Sequence, residues 1–161
     1  MDLTQILLCA LVLAPVLTSK LPCHDEHELE ERAERKLKTH YPQPPQPAHL
    51  TAPEKPLTCP LDQYHHTELR GRSLSPWTYV LRTMKDHFPP TVAEAQCLCR
   101  GCIITSDSNE LVESHDYNSA LIRQSRVFLK RELCEDGKKY RLVPVTEQVG
   151  VGCTCARPNT I

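Results

Sequence analysis

The chain has 161 residues, is 40% hydrophobic but only 5% aromatic, and carries a formal net charge of −1. That length suits one domain whose core is short of large side chains. With no overall basic field, nucleic acid and anionic membranes are set aside as main partners.

Residues 1–19 read as a secretory signal peptide. Residues 6–17 form an apolar run too short to span a bilayer and suited to a signal core, and Thr18 and Ser19 offer a small-residue cleavage site. Asp2 stands where a basic residue is usual. No other stretch is long and apolar enough to insert into a membrane, so the product is expected to be released. Cleavage removes Cys9 and leaves Cys23, Cys59, Cys97, Cys99, Cys102, Cys134, Cys153 and Cys155. An even count in a secreted chain implies a disulfide framework, but the count alone allows on the order of a hundred pairings.

Residues 20–58 read as a charged and proline-rich N-terminal extension. Residues 24–40 are mostly charged, with Glu28/Arg32, Glu31/Arg35 and Glu34/Lys38 at helix-supporting spacing. Leu29, Ala33 and Leu37 make only a thin apolar stripe, so a frayed, solvated helix or a disordered segment is expected there, not a docked element. Residues 41–60 hold seven of the fourteen prolines. Gln43-Pro44-Pro45-Gln46-Pro47 is polyproline-like; it reads as a linker in preference to a proline-motif ligand, with the domain boundary near Thr58.

From Cys59 to residue 161 the pattern is β. Trp77, Tyr79 and Leu81 alternate with Thr78, Val80 and Arg82. A strand over residues 94–105 carries Cys97, Cys99 and Cys102, and a turn cluster follows at residues 106–109. Residues 119–133 form a long strand centred on Val127-Phe128-Leu129. Asp136-Gly137 predicts a hairpin turn, and residues 140–155 form the last strand, bent or bulged at Pro144, Gly150 and Gly152. No core helix and no internal repeat are evident.

Five of the nine cysteines lie in Cys97-Leu98-Cys99-Arg100-Gly101-Cys102 and Gly152-Cys153-Thr154-Cys155. Cys153 and Cys155 project to one face of a strand, which suits two bridges to one adjacent strand better than a bridge to each other. A zinc half-site at Cys99 and Cys102 is the competing reading, and an oxidising compartment argues against it. Catalytic motifs are missing: there is no GxSxG, no HExxH and no Gly-rich phosphate loop. The His65-His66 pair reads as exposed loop. No enzyme activity, metal or cofactor is expected. Arg123, Arg126, Lys130 and Arg131 share one strand, but alternation splits them between its faces.

Ser75-Pro76-Trp77, Phe88-Pro89, Glu94-Ala95-Gln96-Cys97, Gly101-Cys102-Ile103, Asn118-Ser119 and Val149-Gly150-Val151-Gly152-Cys153-Thr154-Cys155 occur in that order. This set, spanning roughly residues 59–158, resembles the interleukin-17 cytokine family, and the eight-cysteine layout looks most like its C-type member. The resemblance implies an all-β, cystine-knot growth-factor-like fold of two twisted antiparallel strand pairs. It implies intrachain knot bridges Cys97–Cys153 and Cys102–Cys155, and a cross-subunit bridge through Cys59 and Cys134. Cys23 and Cys99 depart from the best-known members, so their pairing stays open. It further implies a secreted, pro-inflammatory homodimer that binds and dimerises interleukin-17-type receptor ectodomains, driving inflammatory and innate immune signalling.

Trp77 and Tyr79, with Arg123 and Arg126, are the expected receptor-binding residues, since aromatic anchors dominate many interfaces. Trp77 could equally fill the small core. A secreted disulfide-rich inhibitor or antimicrobial effector is the alternative function, and an antimicrobial would show strong positive charge.

Overall fold

The computed structural model describes residues 21–47, 50, 58–61 and 68–158. The expected signal peptide and the His65-His66 pair lie outside the described residues.

Among the described residues, seven strands form the body: β1 (Trp77–Thr83), β2 (His87–Phe88), β3 (Thr91–Cys97), β4 (Cys102–Thr105), β5 (Leu111–Ser114), β6 (Asn118–Leu133) and β7 (Tyr140–Ala156). All pairings are antiparallel: β1 with β3, β4 with β5, and a sheet of order β2-β6-β7. The two long pairs, β1–β3 and β6–β7, pack on each other. Gly137 turns the β6–β7 hairpin with φ +65°, a conformation that glycine adopts without steric cost. Pro144 sits opposite Leu129 on β7, the edge strand of its sheet, where a missing N–H is tolerated. The expected strand over residues 94–105 is two strands, β3 and β4, separated by a turn.

The β6–β7 hairpin is covered on both faces. Phe128 and Val149 are fully buried with Met84 and Val92, Val145 packing beside them. Leu129 and Leu142 point the other way, against Leu29, Ala33 and Leu37. These last three belong to helix α1 (Leu29–His40), which follows a 3-10 turn at Glu26–Glu28. The helix is therefore docked, contrary to the expectation of a solvated or disordered segment. Its stripe is thin, but Leu29, at 1% exposure, and Ala33, at 0%, fit a surface already apolar at Leu129 and Leu142.

Cys97–Cys153 and Cys102–Cys155 close within the chain, with Cα atoms 5.8 and 6.0 Å apart. They link β7 to the end of β3 and the start of β4, so they clasp separate sheets and do not join hydrogen-bonded neighbours. Cys59 and Cys134, to which the resemblance assigns a cross-subunit bridge, each close within the single chain. Cys134 bonds Cys23, and Cys59 bonds Cys99. Proximity explains both. His24 pairs with Tyr140 through two backbone hydrogen bonds of 2.8 and 2.9 Å, which brings Cys23 beside the end of β6. The Cys59 and Cys99 Cα atoms are 4.5 Å apart. Cys99 and Cys102, the suggested zinc half-site, are thus each bonded to another cysteine.

Candidate functional site

The two strand pairs meet at a bulge in β7. Ile122 pairs with Gly152 and Arg123 with Gly150, which leaves Val151 as the extra residue. A bulge displaces backbone polar groups from the ladder, and buried groups of that kind need partners. Here the other sheet supplies them: Tyr79 Oη donates to the Val151 carbonyl at 3.0 Å, and the Gly150 N–H donates to Glu94 Oε1 at 3.2 Å. Glu94 Oε2 also lies 3.5 Å from Arg82 Nε. Gly150 favours this close approach, because a Cβ there would lie a tight 3.1 Å from the Ala95 carbonyl oxygen.

Beside this clasp lies a groove of about 210 Å³ whose floor includes Tyr79, Val92, Gln124, Arg126 and Val151. Its outer wall is the polyproline segment, residues 43–47. Gln43 holds that segment in place, its side-chain amide donating to the Val127 carbonyl at 2.9 Å and the Tyr41 carbonyl at 3.0 Å. Proline cannot join a ladder, so the side-chain bond substitutes for strand pairing. The segment expected to be a linker is therefore part of the site. The sequence signal for it was the run Gln43-Pro44-Pro45-Gln46-Pro47 itself, but nothing in that run specifies where it docks.

Of the expected binding residues, the structure brings Tyr79 and Arg126 together in this groove and leaves out Trp77 and Arg123. Trp77 shares a face of β1 with Tyr79, but its half-buried ring lies over Gly152, where a Cβ would come within 3.3 Å of it. Trp77 also pairs with Cys97, next to the Cys97–Cys153 bridge. It is a packing residue at the clasp. Arg123 is exposed on the opposite face of β6 from Arg126. Arg131 is engaged elsewhere: it reaches Glu26 Oε1 at 2.6 Å and Asp86 Oδ1 at 2.7 Å, with Tyr140 under its guanidinium. The Asp86 carboxylate holds its pKa above the ordinary value. Among the described residues, Arg126 Nε is buried with no acceptor. The groove thus sets Tyr79 and Arg126 beside a proline-rich wall, an arrangement that suits an extended protein segment.

A second built feature supports the knot. Glu113 on β5 accepts from the backbone N–H groups of Arg100 and Gly101, each at 2.7 Å, fixing the turn between Cys97 and Cys102.

The interleukin-17 family model matches residues 73–157. The chain is 33% identical over 119 residues to interleukin-17C of Homo sapiens, a match covering 68% of this chain and 59% of that protein. It is 32% identical over 125 residues to interleukin-17C of Mus musculus, covering 70% and 63%. To interleukin-17F of Rattus norvegicus it is 36% identical over 91 residues, covering 56% and 53%. The chain spans about three fifths of the length of the interleukin-17C proteins it matches. The family match holds the β7 bulge, Tyr79, Arg126 and both knot bridges, and with the cystine-clasped strand pairs it shows that the chain belongs to the interleukin-17 family of cytokines.

Proposed function

We propose that the protein is a secreted pro-inflammatory cytokine that binds and dimerises interleukin-17-type receptors. Residues 1–19 are its signal peptide and residues 59–161 its cystine-knot cytokine domain, with residues 43–47 adding a wall to the receptor-binding groove. The observation that carries the reading is the groove at the β7 bulge, because it joins Tyr79 and Arg126 to an apolar wall without any catalytic constellation. Four disulfides fit an oxidising, extracellular setting. Among the described residues no helix is long and apolar enough to cross a membrane. The protein acts as a homodimer, so that one ligand assembles two receptor chains.

Surface plasmon resonance against a panel of interleukin-17 receptor ectodomains tests the reading. Binding to at least one is expected. Arg126→Ala is expected to lower that affinity by about 2 kcal/mol while the thermal midpoint stays near that of the parent. Failure of the folded parent to bind any member of the panel would remove the receptor-ligand function. Binding that is unaffected by Arg126→Ala would move the contact surface away from the groove.

A further inference from the structure

A separate basin of about 370 Å³ lies between α1 and the N-terminal segment, away from the groove. Its charged lining comes from Arg32, Arg35 and Lys36, with His24 and His40 beside them, and none of its lining residues is acidic. The helix sequence produces this segregation. At about 100° per residue, Arg32, Arg35, Lys36 and Thr39 share one flank of α1, Glu30 and Glu34 occupy the other, and Glu31 borders the basic flank beside Arg35. Docking through Leu29, Ala33 and Leu37 fixes the rotation of the helix, so the basic flank is held over the basin.

The cations are only lightly engaged. Arg32 reaches Glu28 at 3.0 Å, and Arg35 reaches Glu31 at 3.6 Å. Arg32 also donates from Nε to Glu28 Oε2 at 3.1 Å; both pairs have i,i+4 spacing and partly exposed side chains, and such pairs contribute little. Lys36 Nζ donates to the Leu142 carbonyl at a long 3.4 Å. The floor is rigid: His24 is fixed by its backbone pairing with Tyr140 and by the neighbouring Cys23–Cys134 bridge. The His24 pKa lies below its ordinary value, because burial and then Arg32 oppose its protonation, which agrees with a site of positive potential.

We infer that this basin is a binding site for sulfate groups carried on an extracellular polysaccharide. Two arginines and a lysine within about 6 Å along one helix flank match closely spaced oxyanions better than a single small ion. The oxidised cysteine framework selects an extracellular polyanion, so the inference shares the secreted setting of the proposed function. It does not depend on receptor binding, and the assay below contains no receptor, so either can fail alone.

The test is direct binding of the intact, oxidised protein to a heparin-derived sulfated octasaccharide. The same octasaccharide after desulfation, and inorganic sulfate, serve as comparison probes. Binding of the sulfated probe is expected to weaken with salt, with a log–log slope of about two to three. The double variant Arg35→Gln, Lys36→Gln is expected to lower affinity at least about tenfold. Lys85→Gln, Lys130→Gln removes two exposed cations elsewhere and is expected to leave binding unchanged, and thermal melts check that both variants fold. The inference is overturned if the desulfated probe binds equally well, or if the Lys85, Lys130 pair matters as much as the helix pair. It is also overturned if inorganic sulfate alone binds as tightly as the octasaccharide, since the site would then take a lone ion.

Discussion

Gly101 shows how one residue controls the knot. A Cβ at this position would lie 2.2 Å from the Ser114 carbonyl oxygen, which is backbone and has no room to give. The next residue, Cys102, is fully buried and bonded to Cys155. Gly101→Ala should therefore push the turn off Glu113 and misplace the cysteine. A loss of about 1–3 kcal/mol in chemical denaturation is expected, with a raised yield of mispaired disulfides on refolding. Tyr79→Phe removes the donor to the bulged Val151 carbonyl and should cost about 1 kcal/mol. Trp77→Ala should cost about 2–3 kcal/mol, because the ring is half-buried at the clasp. A Trp77→Ala protein that melts like the parent would show that the ring contributes nothing to packing there.

Helix α1 is the element the sequence described least well. Its existence was legible from the i,i+4 charge pairs. Its docking was not, because three apolar residues in a charged run look the same whether exposed or covered. What decides the matter is the partner surface at Leu129 and Leu142 and the Cys23–Cys134 bridge, neither of which is local to residues 24–40. The run Val127-Phe128-Leu129 carried the missing signal, since consecutive apolar residues mark a strand covered on both faces. The long strands, the Asp-Gly turn and the bulge were readable from alternation and glycine. The groove was only half readable: Tyr79 and Arg126 stood out by chemistry, but Trp77 did too, and sequence does not distinguish an aromatic ring on a clasp from one on a surface.

Two measurements belong to this element. Leu29→Ala should cost about 2–4 kcal/mol by opening a cavity under the helix. A melt unchanged from the parent would mean that the helix is not docked in solution. The second measurement is a pH profile. His24 in the folded chain takes up its proton at a lower pH than in the unfolded chain, owing to burial first and then to Arg32, with Lys139 and Lys36 adding to the effect and Glu28 opposing it. As pH falls below about 6.5, the unfolded state binds this proton first, so stability drops until the folded pKa is passed. Above that range the histidine contributes no pH dependence. His24→Asn should flatten this part of the profile in melts run from about pH 7.5 to about pH 5. An identical slope in the variant would assign the loss to other groups.

At the scale of the whole molecule, net charge hides the organisation. A chain of net charge −1 still gathers Arg32, Arg35 and Lys36 on one rim, with Glu30 and Glu34 on the other flank of α1, although Glu28 and Glu31 pair with the two arginines. The same caution applies to cysteines, whose count predicts bridges but not their reach. All eight described cysteines close within one chain. In the chain-entropy account the Cys23–Cys134 bridge, with a sequence separation of 111, removes about 5 kcal/mol of freedom from the unfolded state. The knot bridges, with separations of 56 and 53, each remove about 4 kcal/mol, and these contributions overlap because the loops nearly coincide. A homodimer built from such chains has no cysteine among the described residues left to cross-link it. The protein should therefore run as a monomer on a non-reducing denaturing gel, yet sediment as a dimer under native conditions. Cys23→Ser sharpens the test by freeing Cys134 at the end of β6. If that end lies near the two-fold axis, the variant should acquire a covalent dimer band that Cys134→Ser abolishes. A covalent dimer already present in the parent and lost in Cys134→Ser would show instead that Cys134 crosses between subunits, and that the Cys23–Cys134 closure does not form in the dimer.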